Sequence, residues 1–388
     1  MMGVPMKNLD DLLDKIPNII KEEFVTGLSI VIIEDGKIYA SNGYGLADKR
    51  KHEPATSKTL FQISSLSKAL TAWGVLHVCE KKNIDIDSPI ENYVKRWKFP
   101  SSKYSTHGVT VRSILHHMAG LSVMSYYGTR KNTPDIIDSL NGQYDKRYKL
   151  EVFVEPGENL CYSGGGFTLL QLFIEEVTGQ SFESYMKDNV IHPLGMYNTF
   201  YNFEDVKDLG YLAKPYSPFG KRLPYYNFTE KAAAELYTSS YDLGLFMMAY
   251  MEKNEVLSEN YKAILSSRFD RRVRCGCGNY VFNSHGEKII LQRGQNRGWF
   301  SSMDIMPNKK SGIAILTNSY NGQNAILSIL SKWYHIQLNN QDTIASTFLL
   351  KRHGRLKISF FDALIQMKLY KYRVEVMNLS GGKLNGNT

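Results

Sequence analysis

Apolar residues recur at helical spacing over residues 8–24 (Leu9, Leu12, Leu13, Ile16, Ile19, Ile20, Phe24), so a helix is expected there, kinked or divided by Pro17. The period then changes. Gly27 to Ile33 is a β-branched run, Glu34-Asp35-Gly36-Lys37 signals a turn, and Ile38 to Tyr44 resumes an extended pattern, which together predict a hairpin. A polar loop over 49–57 leads into Phe61-Gln62-Ile63-Ser64-Ser65-Leu66-Ser67-Lys68 and a helix to about Lys82 that is apolar on nearly every side, hence one buried between layers. Residues 84–93 alternate and then turn, and 109–121 read as a short helix closed by Gly120. Further helices are expected from Phe167 to Val177, stopped at Thr178-Gly179, after Ser239-Ser240, and from Gln323 to Trp333. Between the last two, Tyr280–Phe282, Lys288–Leu291, Phe300–Met306 and Gly312–Leu316 are separated by turns and read as successive hairpins.

Strands thus cluster near both ends and helices in the middle, a segregation that argues α+β. The expected architecture is an antiparallel sheet built from N- and C-terminal segments, flanked by helices, with a mainly helical inserted domain. The main domain would cover 1–342, its sheet lobe about 1–82 and 255–342 and its helical lobe about 83–254, followed by a C-terminal extension over 343–388.

Composition changes this picture little except at that extension. The chain is 43% hydrophobic and 22% charged, as in ordinary globular proteins. Of its net charge of +9, residues 343–388 carry +6, so the body is only mildly basic and no nucleic-acid surface is expected. Lys351, Arg352, Arg355 and Lys357 interleave there with Phe348, Ile358 and Phe360, which suits either weak contact with an anionic membrane surface or extra elements packed on the body. The first ten residues lack a secretory apolar run, and no stretch of about 18 apolar residues occurs, so the cytoplasm is the default compartment. Four cysteines are too few for a disulfide framework, and Cys275-Gly276-Cys277 has no partner pair at zinc spacing. Neither a metal nor a cofactor is expected. Gly164-Gly165-Gly166 precedes a helix but lacks the Gly-Lys-Ser/Thr of a phosphate loop, and His116-His117 are adjacent and so do not share a helix face.

The chemistry concentrates at Ser65 and Lys68. Positions i and i+3 share one face of a helix, so an amine there can activate the hydroxyl. Ser64 lies too early and Ser67 is the lysine's neighbour, so only Ser65 has the spacing.

Together, Phe61 with Ser65 and Lys68, Ile84-Asp85-Ile86-Asp87, Val109 to Leu121, Pro156-Gly157 before Tyr162-Ser163, Pro193-Leu194-Gly195-Met196, Asp242-Leu243 and Gly294 to Ser302 resemble the β-lactamase and penicillin-binding-protein superfamily of serine hydrolases. The likeness covers roughly 25–335 and points to the class C β-lactamase-like branch, which includes esterases and D-amino-acid peptidases. It implies that Ser65 is the acylated nucleophile, Lys68 its motif lysine, and Tyr162 the tyrosine of a Tyr-x-Asn element across the cleft. Gln292-Arg293-Gly294 then takes the place of a His/Lys-x-Gly strand element, and the backbone N–H of Gln295 would complete an oxyanion hole with that of Ser65. Each such donor is worth on the order of 3 kcal/mol. Either a neutral Lys68 or a Tyr162 phenolate could serve as base.

Two departures stand out. Gly164 replaces the asparagine beside Ser163, and Gln292 replaces the cationic or imidazole residue, with Arg293 able to restore the charge only if it points inward, against strand alternation. Both weigh against efficient handling of an anionic carboxylate. Glu235, where the branch has a small residue, reads either as a solvated acid or as a group that binds a substrate amine or pairs with Arg293 or Arg297. The implied activity is cleavage of an ester or amide, possibly in a D-configured or non-ribosomal peptide. An acyltransferase and a non-catalytic binding or sensor module are the alternatives.

Overall fold

A computed structural model describes residues 8–130, 132–143, 145–270 and 274–338. The fold is α+β. A seven-stranded antiparallel sheet has the spatial order β3-β2-β1-β10-β9-β8-β7. Its first three strands are β1 (Gly27–Glu34), β2 (Lys37–Asp48) and β3 (Glu53–Pro54). The last four are β7 (Tyr280–Ser284), β8 (Glu287–Asn296), β9 (Trp299–Met306) and β10 (Ser311–Thr317). Three two-residue strands, β4 (Phe61–Gln62), β5 (Thr199–Phe200) and β6 (Tyr237–Thr238), form a separate small sheet ordered β4-β6-β5.

The two chain ends meet where β1 pairs antiparallel with β10, Ile30 opposite Ile315. Both strands are buried along almost their whole length, which is why each reads as a continuous apolar run rather than an alternation. Helices α1 (Leu9–Glu22) and, at the other end of the chain, α11 (Gly322–Gln337) pack on each other, with α1 against β2 and α11 against β9. Pro17 does not divide α1, whose Leu12, Ile16, Ile19 and Ile20 are all buried on one face.

The middle of the chain supplies α2 (Ser67–Lys82), α3 (Val111–Leu115), α4 (Ile136–Leu140), α5 (Gly164–Thr178), α6 (Phe182–Met186), α7 (Phe203–Val206), α8 (Lys231–Ala234), α9 (Ser240–Met251) and α10 (Glu259–Leu265). Helix α9 covers β1 and β10, and α2 packs among α5, α8 and α10. Every residue of α2 from Ser67 to Cys79 is buried, as its all-round apolar sequence predicts, so Lys68 enters the core with it. The site therefore lies where the buried start of α2 meets the small sheet, α8 and the outer end of β8. The basic segment 343–388 and its membrane-surface reading lie outside the described residues, among which no helix is long and apolar enough to cross a membrane.

Candidate active site

The turn Ser64–Leu66 is a single 3₁₀ turn ahead of α2, entered through Ser64 with φ +56°. Backbone ties fix it. The Ile63 N–H donates to the Leu236 carbonyl (2.8 Å), and the Ile63 carbonyl accepts from Ser301 Oγ (2.7 Å). A Cβ on Gly294 would lie 2.0 Å from that same carbonyl, so only glycine lets β8 come this close. Ser67 is buried and spent on structure, its hydroxyl donating to the Ser64 carbonyl (2.5 Å) and accepting from the Leu236 N–H (3.2 Å). Ser65 alone of the three serines is partly exposed.

Lys68 Nζ sits 3.2 Å from Ser65 Oγ and donates to the Ala233 carbonyl at 2.7 Å. The ammonium lies over the rings of Tyr162 (5.3 Å) and Phe167 (5.6 Å). Burial without a carboxylate partner pushes the amine down to about 7. Tyr162 faces it across the serine, and burial raises this phenol above its ordinary value. The serine, the amine and the phenol are thus brought together, and near neutral pH the amine can be unprotonated while the phenol keeps its proton.

The residues expected to choose the substrate are placed differently. Ser163 caps α5, its Oγ accepting from the Gly166 N–H (2.9 Å) and donating to the Ser122 carbonyl (2.5 Å), which leaves no free hydroxyl for a ligand. The Gly164 and Gly165 N–H groups donate to the Met124 and Val123 carbonyls, so this glycine run offers no phosphate cradle. A Cβ at Gly164 would sit 3.1 Å from the Met124 carbonyl. Gln292 is buried with both amide ends committed, Nε2 to the Gly278 carbonyl (2.5 Å) and Oε1 to the Arg293 N–H (2.8 Å). Gly278 itself abuts the Lys68 carbonyl, where a Cβ would approach to 2.4 Å, so Gln292 braces the turn that backs the lysine.

Arg293 does not restore a cation to the cleft. Strand alternation sends it to the opposite face of the sheet, where it grips Asp304 through Nη1 (2.6 Å) and Nη2 (2.8 Å), in a network completed by Ser302 and Tyr334. Glu235 is neither the solvated acid nor the partner of either arginine. It is buried, not solvated, and Arg293 is taken by Asp304 while the Arg297 guanidinium lies over the rings of Tyr226 (4.7 Å) and Tyr127 (5.8 Å). Burial raises the Glu235 carboxyl well above the usual range, and its Oε1 has no hydrogen-bond partner among the described residues. Of the strand element, Gly294 lies against the serine's turn, and Gln295 follows at the exposed outer end of β8, opposite Phe300.

Asn296 escaped sequence reasoning, and His117 entered it only as half of an adjacent pair. Asn296 Nδ2 ties β8 to Gln62 Oε1 (2.7 Å) and the Ala234 carbonyl (3.3 Å), closing one side of the site. His117 packs against Tyr162 with ring centroids 4.2 Å apart. No spacing signal marks either, since both contacts join segments far apart in the chain.

A seven-stranded antiparallel sheet, a buried helix bearing Ser-x-x-Lys and a tyrosine across the cleft define the β-lactamase/transpeptidase fold class. The family model described as Beta-lactamase matches residues 12–328, and the chain belongs to that family. It is 24% identical over 306 residues to Protein flp of Staphylococcus aureus (strain NCTC 8325 / PS 47), covering 76% of this chain and 60% of that protein. It is 30% identical over 178 residues to Penicillin-binding protein 4* of Bacillus subtilis (strain 168), 44% of this chain and 37% of that one. The chain therefore spans less than two thirds of the length of these curated relatives. Among solved structures, the octameric penicillin-binding protein homologue from Pyrococcus abyssi superposes with TM-score 0.73 at 25% identity, covering 86% of this chain and 78% of that one. The D-amino acid amidase from Ochrobactrum anthropi SV3 shares the fold with TM-score 0.68 at 21% identity, over 84% of this chain and 99% of that one.

Proposed function

We propose that the chain is a serine hydrolase that cleaves an ester or amide through an acyl-enzyme on Ser65. The observation that carries this reading is the desolvated Lys68 amine, lowered to about 7 and 3.2 Å from Ser65 Oγ. Neutral Lys68 takes the Ser65 proton as Oγ bonds to the substrate carbonyl carbon. The oxyanion is received by the backbone N–H groups of Ser65 and Gln295. Collapse breaks the bond to the alkoxide or amine leaving group, which takes the Tyr162 hydroxyl proton, and the Lys68 ammonium beside that ring returns its proton to the phenolate, so that the amine and the phenol both end as they began. Water then repeats the sequence on the acyl group and frees Ser65. Lys68, not a Tyr162 phenolate, is the base in this scheme, because burial brings the amine down to about 7 and moves the phenol further above it.

Gly164 and the inward-turned Gln292 supply neither a side-chain amide nor a cation for a substrate carboxylate. The favoured substrates are accordingly small neutral esters or amides, D-configured or non-ribosomal peptides among them, and the amidase of the same fold is an instance of such chemistry on this scaffold. Incubation with a fluorophosphonate followed by intact mass should give one adduct, absent in Ser65→Ala. Turnover of a p-nitrophenyl ester by water supports hydrolysis, turnover that requires an added amine or alcohol supports acyl transfer, and absence of any adduct sinks both in favour of a binding module.

A further inference from the structure

His117 is a buried imidazole that the proposed chemistry does not use. It does not act with His116, whose ring turns the other way: His116 Nδ1 donates to the Arg112 carbonyl (2.8 Å), and its ring meets Cys277 Sγ and Phe269. His117 instead meets Tyr162 from three directions. Its carbonyl accepts from the Cys161 N–H (2.8 Å), the residue before the tyrosine. Its Nδ1 accepts from the Ser163 N–H (3.1 Å), the residue after. Its ring lies on the Tyr162 ring at a centroid distance of 4.2 Å and an interplanar angle of 33°, and on Phe167 at 5.3 Å. To present all three at once the backbone adopts φ +58°, a left-handed conformation uncommon outside glycine and one that the surrounding structure must hold in place.

We propose that His117 is a positioning residue that fixes the Tyr162 ring, through both flanking backbone N–H groups and a ring contact, so that its hydroxyl stays in register with Ser65. The inference rests on the reading of Tyr162 as the proton donor across the cleft. Because Nδ1 accepts a backbone N–H, the imidazole is neutral with its proton on Nε2, where it has no partner among the described residues. Burial favours the same neutral form. A catalytic tyrosine held on a loop between two elements needs such support, since a shift of about 1 Å in a reacting group costs up to roughly 100-fold in rate.

Two variants separate the attachments. His117→Asn keeps an acceptor near Nδ1 and tolerates the left-handed backbone but loses the ring, whereas His117→Phe keeps the ring and loses the acceptor. With 25 tyrosines in the chain, 3-fluorotyrosine is placed at position 162 alone and followed by ¹⁹F NMR, alongside thermal unfolding and the rate of Ser65 acylation by a fluorophosphonate. The expected result is a single narrow resonance in the parent that broadens or splits in His117→Phe and less so in His117→Asn. Acylation should fall roughly 10- to 100-fold in His117→Phe, with partial recovery in His117→Asn, and the loss should largely vanish in a Tyr162→Phe background. Parent-like resonances in both folded variants, or losses that add fully to Tyr162→Phe, overturn the proposal. Failure of the parent to acylate at Ser65 instead overturns the hydrolase reading, and the NMR comparison still decides whether His117 orders Tyr162.

Discussion

The two walls of the cleft have been treated differently by this sequence. On the acylation wall, Ser65, Lys68 and Tyr162 form a close set, and the groups behind them are tied to it: Ser301 and Leu236 on Ile63, Ala233 on Lys68, Gly278 on the lysine's backbone. On the substrate wall the polar groups have been withdrawn. Gln292 spends its amide inside the fold, Arg293 serves the far face of the sheet, Ser163 caps a helix, and Gly164 has no side chain. Under the proposed chemistry, the difference teaches that acylation and substrate choice are separable in this fold. The first needs a few atoms held within about 3 Å of one another in a desolvated place, and the second needs groups that remain free to meet a ligand.

Substitutions on the acylation wall should have the largest effects. Lys68→Met is expected to lower acylation by about 1,000-fold and, at the same time, to stabilise the protein. The sign follows from linkage. With the folded amine at about 7 against an ordinary 10.5, the unfolded chain binds more protons between those values, so parental stability rises with pH across that window and the cost of burying the charge is fully present below pH 7. Urea unfolding should therefore show the variant ahead on the order of 2 kcal/mol at pH 6, after allowing for the orphaned Ala233 carbonyl, with the gap closing toward pH 10. A destabilised variant would contradict the buried, unpaired amine.

Arg293→Met tests whether the third element's cation belongs to the sheet or to the cleft. Removing it leaves the buried Asp304 without its bidentate partner, and a loss of about 3 kcal/mol is expected with KM for a neutral ester unchanged. A raised KM at intact stability would return Arg293 to the site. Gly164→Asn is a smaller change: it should leave ester turnover within about threefold while improving amide or penicillin acylation roughly fivefold, about 1 kcal/mol, if the new amide reaches the substrate carbonyl. Equal effects on both would mean that the substituted helix start, not the ligand, responds. Glu235→Gln should change least, within about twofold in rate and 0.5 kcal/mol in stability, because burial favours the protonated carboxyl, which the amide mimics. A selective loss toward amine-bearing substrates would make Glu235 part of the substrate wall after all.

The fold was legible because its signals are local and mutually consistent. The β-branched run at Gly27–Ile33, the hairpins after Tyr280 and the all-round apolar α2 each announce an element, and their order fixes the joining of both chain ends in one sheet. The acylation wall was legible for the same reason, since Ser65 and Lys68 owe their meeting to helical spacing. Long-range pairing hid the rest. Whether Gln292 faces a ligand or the Gly278 carbonyl, or Glu235 faces water or a dry interior, depends on segments distant in sequence. For Arg293 strand alternation already pointed to the far face, and Asp304, eleven residues on, supplied the partner. Pro17 does not divide α1, because the packed face on either side of it holds the helix together.

The central claim, that a neutral Lys68 activates Ser65, is tested most directly by the pH dependence of fluorophosphonate labelling, followed by intact mass in the parent chain and in Ser65→Ala. A single adduct confined to Ser65, with a rate that rises through an inflection near pH 7 as Lys68 loses its proton, is the predicted result. No adduct, an adduct that survives Ser65→Ala, or a rate that climbs only above about pH 9, where an ordinary lysine or tyrosine titrates, would contradict it.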